Sequence, residues 1–456
     1  MTDLRSPHAL GTGDPGPTPG APARRRAGSG APAGPADGSR GGSSISPRDG
    51  RRALGQLVLI LVLVVLAAMA TGTTNLLVVI AALVVMIMLH ELGHFATAKW
   101  SGMKVTEYFL GFGPRIWSFR RGETEYGVKA IPAGGYVRII GMVNTEEVDP
   151  ADEPRAYRSK PFHNRLAVSL AGSFMHFVMA FLLIWGMLVF VGAPDTSRVA
   201  IGGLVPVSGQ LDPARAAGIR AGDVVVSVDG RAVTSFDQFT GVVSSHPGQP
   251  VTIVVDRNGT RHTVVVTPHP VPVPAQGGAT KTVGRIGVDI ENPLAPVGPI
   301  ESARQAGVDV GRVVSGSVSA LGQRFSPSGI SQYLHELTNA KAAQQASQSG
   351  QRIQSIYGAV RTAAQGAQAG AWQLTTVLVS IIIFVGLLNL LPMLPLDGGH
   401  VAIAVYERIR SRRGRPYRAD VTKLVPVAYA FVLLLGFVVL SSLYLDVTHP
   451  VANPFK

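Results

Sequence analysis

No cysteine occurs in the 456 residues, which removes disulfides, thiolate zinc ligands and cysteine nucleophiles from consideration. Aromatic residues are scarce at 7%, and no basic stretch is interleaved with them as a base-stacking platform would be. Acidic side chains are also few: 28 Asp and Glu stand against 41 Lys and Arg, a formal net charge of +13. A balance of that sign attracts nucleic acid or an anionic membrane surface. The lipid bilayer is the better fit, because many basic residues lie between or beside apolar runs, and no nucleic-acid partner is expected.

What the chain has in abundance is apolar sequence gathered in blocks. It is 46% hydrophobic with a mean hydropathy of +0.27, high for a soluble protein. Residues 1–52 are Gly-, Pro-, Ala-, Ser- and Arg-rich without periodicity, cannot offset ordering entropy by burial, and are expected to be disordered. The segments 53–70, 76–98, 166–192, 371–398 and 424–445 are expected to span, a bilayer requiring roughly 20 apolar residues. The first is read as a retained helix, because a tail of about 50 residues ahead of it far exceeds a signal-peptide n-region. Short basic segments stay cytoplasmic. Arg24-Arg25-Arg26 with Arg51-Arg52, the loop 99–165 and the loop 399–423 fall on one side if all five runs span. The insert 198–370 and the tail 446–456 then lie outside. The expected fold class is a multi-pass α-helical membrane protein, N-terminus cytoplasmic, with an extracytoplasmic β-rich insert.

At the end of the apolar run Leu76 to Leu89 stands His90-Glu91-Leu92-Gly93-His94. A helix places side chains four apart on one face, so both histidines can reach one metal while Glu91 flanks its open side. Ionisable groups in a membrane segment cost on the order of 2.5–3.5 kcal/mol each on insertion scales, so three together demand partners and mark a functional site. Catalytic zinc takes three protein ligands and keeps one position open. The third ligand is sought in Asn389-Leu390-Leu391-Pro392-Met393-Leu394-Pro395-Leu396-Asp397-Gly398-Gly399-His400. Two prolines and a glycine pair cannot continue a regular helix, and irregular backbone at membrane depth is tolerated only inside protein or along a wet cavity. Asp397 is therefore read as a carboxylate ligand from a distant segment, with His400 in a supporting role. The class-different alternative is a membrane adaptor or chaperone with structural zinc, its β-rich insert serving as a binding module. Glu91 speaks against it, since a structural site needs no general base and closes its fourth position with Cys or His.

The insert opens with Pro213 to Asp223, then Val224 to Gly230, Val251 to Asp256 and Thr263 to Thr267, with turns at Asp229-Gly230 and Asn258-Gly259. "AGIRAGDVVVSVDG" within 198–270 resembles a PDZ domain of the kind attached to bacterial envelope proteases, which implies a peptide ligand. Asp223 and Asp229 are read as turn residues. Residues 271–370 are expected to be linker and helices, one over Arg352 to Ala364, and His335-Glu336 is read as a surface pair because the second histidine is missing.

HELGH at 90–94 and NLLPMLPLDGG at 389–399, with GFGP at 111–114 and IPAGGYVRI at 131–139, resemble the site-2 protease family, specifically bacterial PDZ-containing intramembrane zinc metalloproteases. The resemblance implies that His90, His94 and Asp397 hold Zn2+ and that Glu91 activates water. It implies that Asn389 holds the substrate backbone or stabilises the oxyanion. The segment Tyr126 to Ile139, with Gly134 and Gly135, is similar to the family's membrane-associated β loop, which would offer substrate an edge for strand addition. The implied substrates are single-pass transmembrane proteins already trimmed outside, anti-sigma factors among them, in regulated intramembrane proteolysis. One element departs from the pattern: Gly172-Ser173-Phe174-Met175-His176 stands where the family carries Gly-Pro-x-x-Asn. His176 is expected to be a hydrogen-bonded interior residue.

Overall fold

The computed structural model describes residues 47–142, 146–207, 213–274, 280–349, 352–411 and 417–455. Helix α1 (Pro47–Thr71) takes in the end of the stretch expected to be disordered, and the rest of that tail lies outside the described residues. A turn at Gly72 (φ +67) leads into α2 (Thr74–Trp100). Strands β1 (Val105–Arg121) and β2 (Thr124–Ile139) follow, then α3 (Phe162–Phe190). The insert runs through β3 (Ala193–Pro194), β4 (Val199–Leu204), α4 (Pro213–Ala216), β5 (Val224–Val228), β6 (Arg231–Ala232) and α5 (Phe236–Ser245). It continues through β7 (Val251–Arg257), β8 (Thr260–Val266), β9 (His269–Pro274), β10 (Thr280–Arg285), β11 (Val288–Glu291) and β12 (Leu294–Ala295). Helices α6 (Pro299–Arg324), α7 (Pro327–Thr338), α8 (Ala340–Ser349) and α9 (Ile356–Ala369) precede α10 (Ala371–Asn389), α11 (Asp397–Arg410) and α12 (Val425–Thr448).

Among the described residues, α1, α2, α3, α10 and α12 are long and apolar enough to cross a membrane. Helices α1 and α12 turn almost all of their leucines and valines outward, Leu433 being 74% exposed, as helices facing hydrocarbon do. Helices α2, α3 and α10 pack together around Met86, Met179, Ile184, Leu188, Val379 and Ile383.

The insert is built on the opposite plan. Its main sheet has the order β11-β4-β5-β7-β8, with β6 on β5. Strand β7 alternates, burying Val251, Ile253 and Val255 while Thr252 faces out. The sheet extends past the expected boundary at 270, because β4 would otherwise present an open edge and β11 fills it. Asn258 (φ 50) and Gly259 (φ 83) join β7 to β8 in a two-residue hairpin, a turn that requires positive φ at both positions. Asp223 is more than a turn residue: fully buried, it accepts hydrogen bonds from the Arg220 amide and the Arg257 guanidinium.

The helices after the sheet are not a surface linker. Ala306, Val310, Val313 and Val314 of α6 join the same cluster as the membrane helices, and Trp185 Nε1 on α3 donates to the Pro299 carbonyl at 3.1 Å. Further on, Tyr333 meets Ser441 of α12 at 2.7 Å, and Asp446 of α12 pairs with buried Arg352 and caps Ser355. Glu336 is 2% exposed, which corrects its reading as part of a surface pair. It lies one turn from Tyr333, on the face of α7 that packs against Ala343 and Leu445, and accepts from Gln332 Nε2 at 3.1 Å.

Candidate metal centre

The buried face of α2 carries Met86, His90, Gly93, His94 and Ala98, a helical stripe set against α3. Two glycines allow the approach. A Cβ on Gly93 would stand 2.6 Å from the Ala171 carbonyl oxygen, and one on Gly172 would stand 2.3 Å from His94 Nε2 and 2.5 Å from His90 Cε1. Any side chain at 172 would therefore crowd the imidazoles. His94 Nδ1 donates to the Val168 carbonyl at 2.8 Å, which fixes the tautomer and leaves Nε2 as the nitrogen available to a metal.

The carboxylate arrives from the other half of the chain. Helix α10 stops at Asn389, residues 390–396 fold back, and Asp397 opens α11, so much of the segment expected as the loop 399–423 is helical. A Cβ on Gly398 would lie 2.2 Å from the Leu391 carbonyl oxygen, so the return of the chain demands glycine there.

Three candidate ligand atoms meet. His90 Nε2 and His94 Nε2 are 3.3 Å apart, and they lie 3.4 and 3.2 Å from Asp397 Oδ2. A tetrahedral zinc with bonds of about 2.0–2.1 Å has ligand separations of ~3.3 Å, so the three atoms fit three corners around one ion. Asp397 Oδ2 is buried without a hydrogen-bond partner, a costly state for a carboxylate oxygen unless a cation is beside it. The donor set therefore fits zinc.

Two other histidines stand close but outside the three-atom group. His176 is 1% exposed, its ring centroid 5.1 Å from that of His90. It is interior, as expected, but its Nδ1 makes no hydrogen bond. His400 lines a cavity of about 230 Å³ with Tyr157, Arg165, Leu394, Pro395 and Glu407.

Glu91 faces the hairpin. A Cβ on Gly135 would come within 3.0 Å of Glu91 Cγ, so the strand backbone lies directly against the glutamate. Gly134 (φ +152) packs instead toward Phe112, 2.9 Å from where its Cβ would be, and serves the bend of the strand. Residues 107–110 pair with both 125–128 and 135–138, which leaves 135–139 as the strand nearest Glu91 with pairing on one side. Val128 is paired on both sides, with Leu110 and Trp117, and is not an edge residue. Tyr108 Oη donates to the Met88 carbonyl at 2.7 Å and pins the hairpin to α2. At the hairpin turn, the Arg155 guanidinium, with help from Lys99, holds the Glu123 carboxyl down at about 2, so this anchor stays ionised through the neutral range. Asn389, the last residue of α10, is half-buried, and the 390–396 turn stands between it and Asp397 along the chain.

Sequence reasoning did not single out Gly172 or the Val168 carbonyl. Gly172 stood within the departing 172–176 element, but Val168 contributes only backbone and leaves no signal in its side chain.

The sequence profile of peptidase family M50 matches residues 78–435. The zinc metalloprotease Rip1 of Mycobacterium tuberculosis is 36% identical over 416 residues, 84% of this chain and 98% of its own. Rip1 of Mycolicibacterium smegmatis is 34% identical over 403 residues, 81% and 96% of the two chains. A solved PDZ domain of an SdrC-like protein from Listeria monocytogenes is similar at 20% identity and a TM-score of 0.15, over 20% of this chain and 85% of its own.

Proposed function

Because the chain belongs to peptidase family M50, the site-2 protease family, and is a zinc metalloprotease, we propose that it hydrolyses peptide bonds within transmembrane segments of single-pass membrane proteins. The observation that carries this reading is the meeting of His90, His94 and Asp397 within 3.2–3.4 Å of one another, the two histidines standing on α2, a helix long and apolar enough to cross a bilayer.

In this reading His90, His94 and Asp397 hold the metal. Zinc bound there supplies a Lewis acid that acidifies water and polarises a carbonyl. Glu91 takes a proton from the attacking water as the new C–O bond forms and delivers it to the amine as the C–N bond breaks. Substrate helices tie each carbonyl to an amide one turn along, so the scissile segment must unwind. The one-sided strand 135–139 beside Glu91 offers an edge on which an unwound segment can lie extended, with Gly135 leaving room between backbone and glutamate. Asn389 is assigned to the substrate backbone or the oxyanion.

The proposed topology places the N-terminus, the 99–161 loop and the 411–424 loop in the cytoplasm, and the insert outside. Two observations support it. Arg418 donates to the Arg158 carbonyl, joining the two basic loops, while Tyr333 and Arg352 bind the C-terminal end of α12. The β-rich insert is assigned as a PDZ domain that filters substrate ectodomains, and anti-sigma factors are the proposed substrates.

The test is cleavage of a tagged single-pass substrate lacking its ectodomain by the reconstituted wild type and by Glu91→Gln, with zinc measured in both. Cleavage by the wild type alone, with about one zinc retained in each, is expected. Zinc in both and cleavage by neither, across several transmembrane sequences, would move the assignment to a membrane adaptor with structural zinc. Equal cleavage by both would remove Glu91 from the chemistry.

A further inference from the structure

Away from the metal, at the α3 end nearest the 99–161 loop, two charged side chains are buried against each other. Arg165 of α3 is 6% exposed and Glu407 of α11 is 1% exposed, and the guanidinium donates to the carboxylate at 2.5 Å. Both carboxylate oxygens are used: the Ala419 amide donates to the other at 2.9 Å, and Arg418 stands 3.4 Å from the first. A pair so placed is a poor source of stability, because desolvation consumes most of the Coulombic gain and apolar side chains of similar volume often do as well. Its value lies in fixing register.

The register at stake is that of Asp397. Helix α11 packs against α3, and it is preceded by the proline-broken 390–396 turn, not by a continuous helix. Glu407 lies about 15 Å along the axis from Asp397, so a rotation or slide of α11 at one end is transmitted to the carboxylate at the other. On α3, Arg165 stands one turn before Val168, whose carbonyl orients His94. One turn of α3 therefore touches both halves of the site, one imidazole directly and the carboxylate through α11. Tyr157 holds this turn too, its hydroxyl 2.9 Å from Ser169 Oγ and 3.3 Å from the Arg165 carbonyl.

We propose that the Arg165–Glu407 ion pair is a positioning device that sets α11 on α3 so that the Asp397 carboxylate reaches the two imidazoles. The proposal rests on the zinc reading of His90, His94 and Asp397.

The experiment uses the full chain in detergent, stripped of metal and titrated with Co2+. Affinity, the visible absorption of the bound ion and the thermal midpoint are recorded for the wild type, Asp397→Asn, Glu407→Gln and the apolar double variant Arg165→Met with Glu407→Leu. The double variant leaves no unpaired buried charge, so its thermal midpoint is expected within a few degrees of wild type. Its Co2+ affinity is expected to fall about 10- to 100-fold, the range seen when groups that orient metal ligands are removed, with an altered absorption spectrum. Glu407→Gln keeps the shape and the Ala419 contact and is expected to lose affinity about tenfold. Wild-type affinity and spectrum in either variant would overturn the proposal, and a fall that merely tracks a lowered midpoint would reduce the pair to a structural one. Failure of the zinc reading is a different result: Asp397→Asn would then bind Co2+ as the wild type does.

Discussion

The β-rich insert encloses Val199, Ile201, Val225, Val228, Ile253 and Phe239, whereas the helices α2, α3 and α11 enclose His90, His94, Arg165, Ser169, Ser173, His176 and Glu407. Outside, the pattern reverses. The insert shows water Thr252, Arg261 and His262, and α12 shows its surroundings Leu433, Leu440 and Val447. The same chain thus folds against two solvents. Where water surrounds the structure, apolar area is driven inward and contributes roughly 25 cal/mol per Å². Where hydrocarbon surrounds it, a leucine gains little by burial, and what must be enclosed is every group that needs a polar partner. Close packing of backbones then replaces the hydrophobic drive, which is why glycines at 93 and 172 line the α2–α3 contact.

That contrast can be broken deliberately. The largest effect is expected from Gly172→Val, which forces carbon into the space beside both imidazoles. Metal binding should weaken about 100-fold or more, with helix content by circular dichroism nearly unchanged. Preserved zinc stoichiometry would show that α3 can retreat and that the helix contact is less tight than in a water-soluble core. A smaller effect is expected from Ile253→Ala at the centre of the insert. It should lower the insert's stability by about 2–4 kcal/mol, read as a lower thermal midpoint, while zinc content stays at the wild-type level. The smallest belongs to Leu433→Ala on α12, the same kind of truncation on a residue 74% exposed. Its cost should stay under about 0.5 kcal/mol, because the side chain leaves lipid contact in neither state. A cost near that of Ile253→Ala would place α12 against a protein partner and dissolve the distinction between the two regions.

Much of the insert was legible because its strands alternate with period two and its turns carry Asp-Gly and Asn-Gly, both local signals. Its outer boundary was not, because β11 is recruited from beyond residue 270 by an open edge that only the folded sheet possesses. Glu336 was misplaced for a similar reason: a glutamate reads as surface until α7 is seen to lay that face on α8 and α12. Gly135 and Gly134 looked equivalent in sequence and are not, one lying against Glu91 and the other against Phe112.

The sequence by itself determined the chemistry available: the absence of thiols, two imidazoles and a carboxylate at helical spacing, a second carboxylate behind two prolines, and apolar runs long enough for a bilayer. Those are properties of residue type and of periods of a few residues, and they survive without any long-range contact. Only the tertiary structure decided that Asp397 Oδ2 stands 3.2 Å from His94 Nε2, that the Val168 carbonyl orients that ring, and that Arg165 meets Glu407 across 242 positions of chain. Such meetings depend on how three helices seat against one another, and helix seating is set by packing summed over whole faces, which no local pattern encodes.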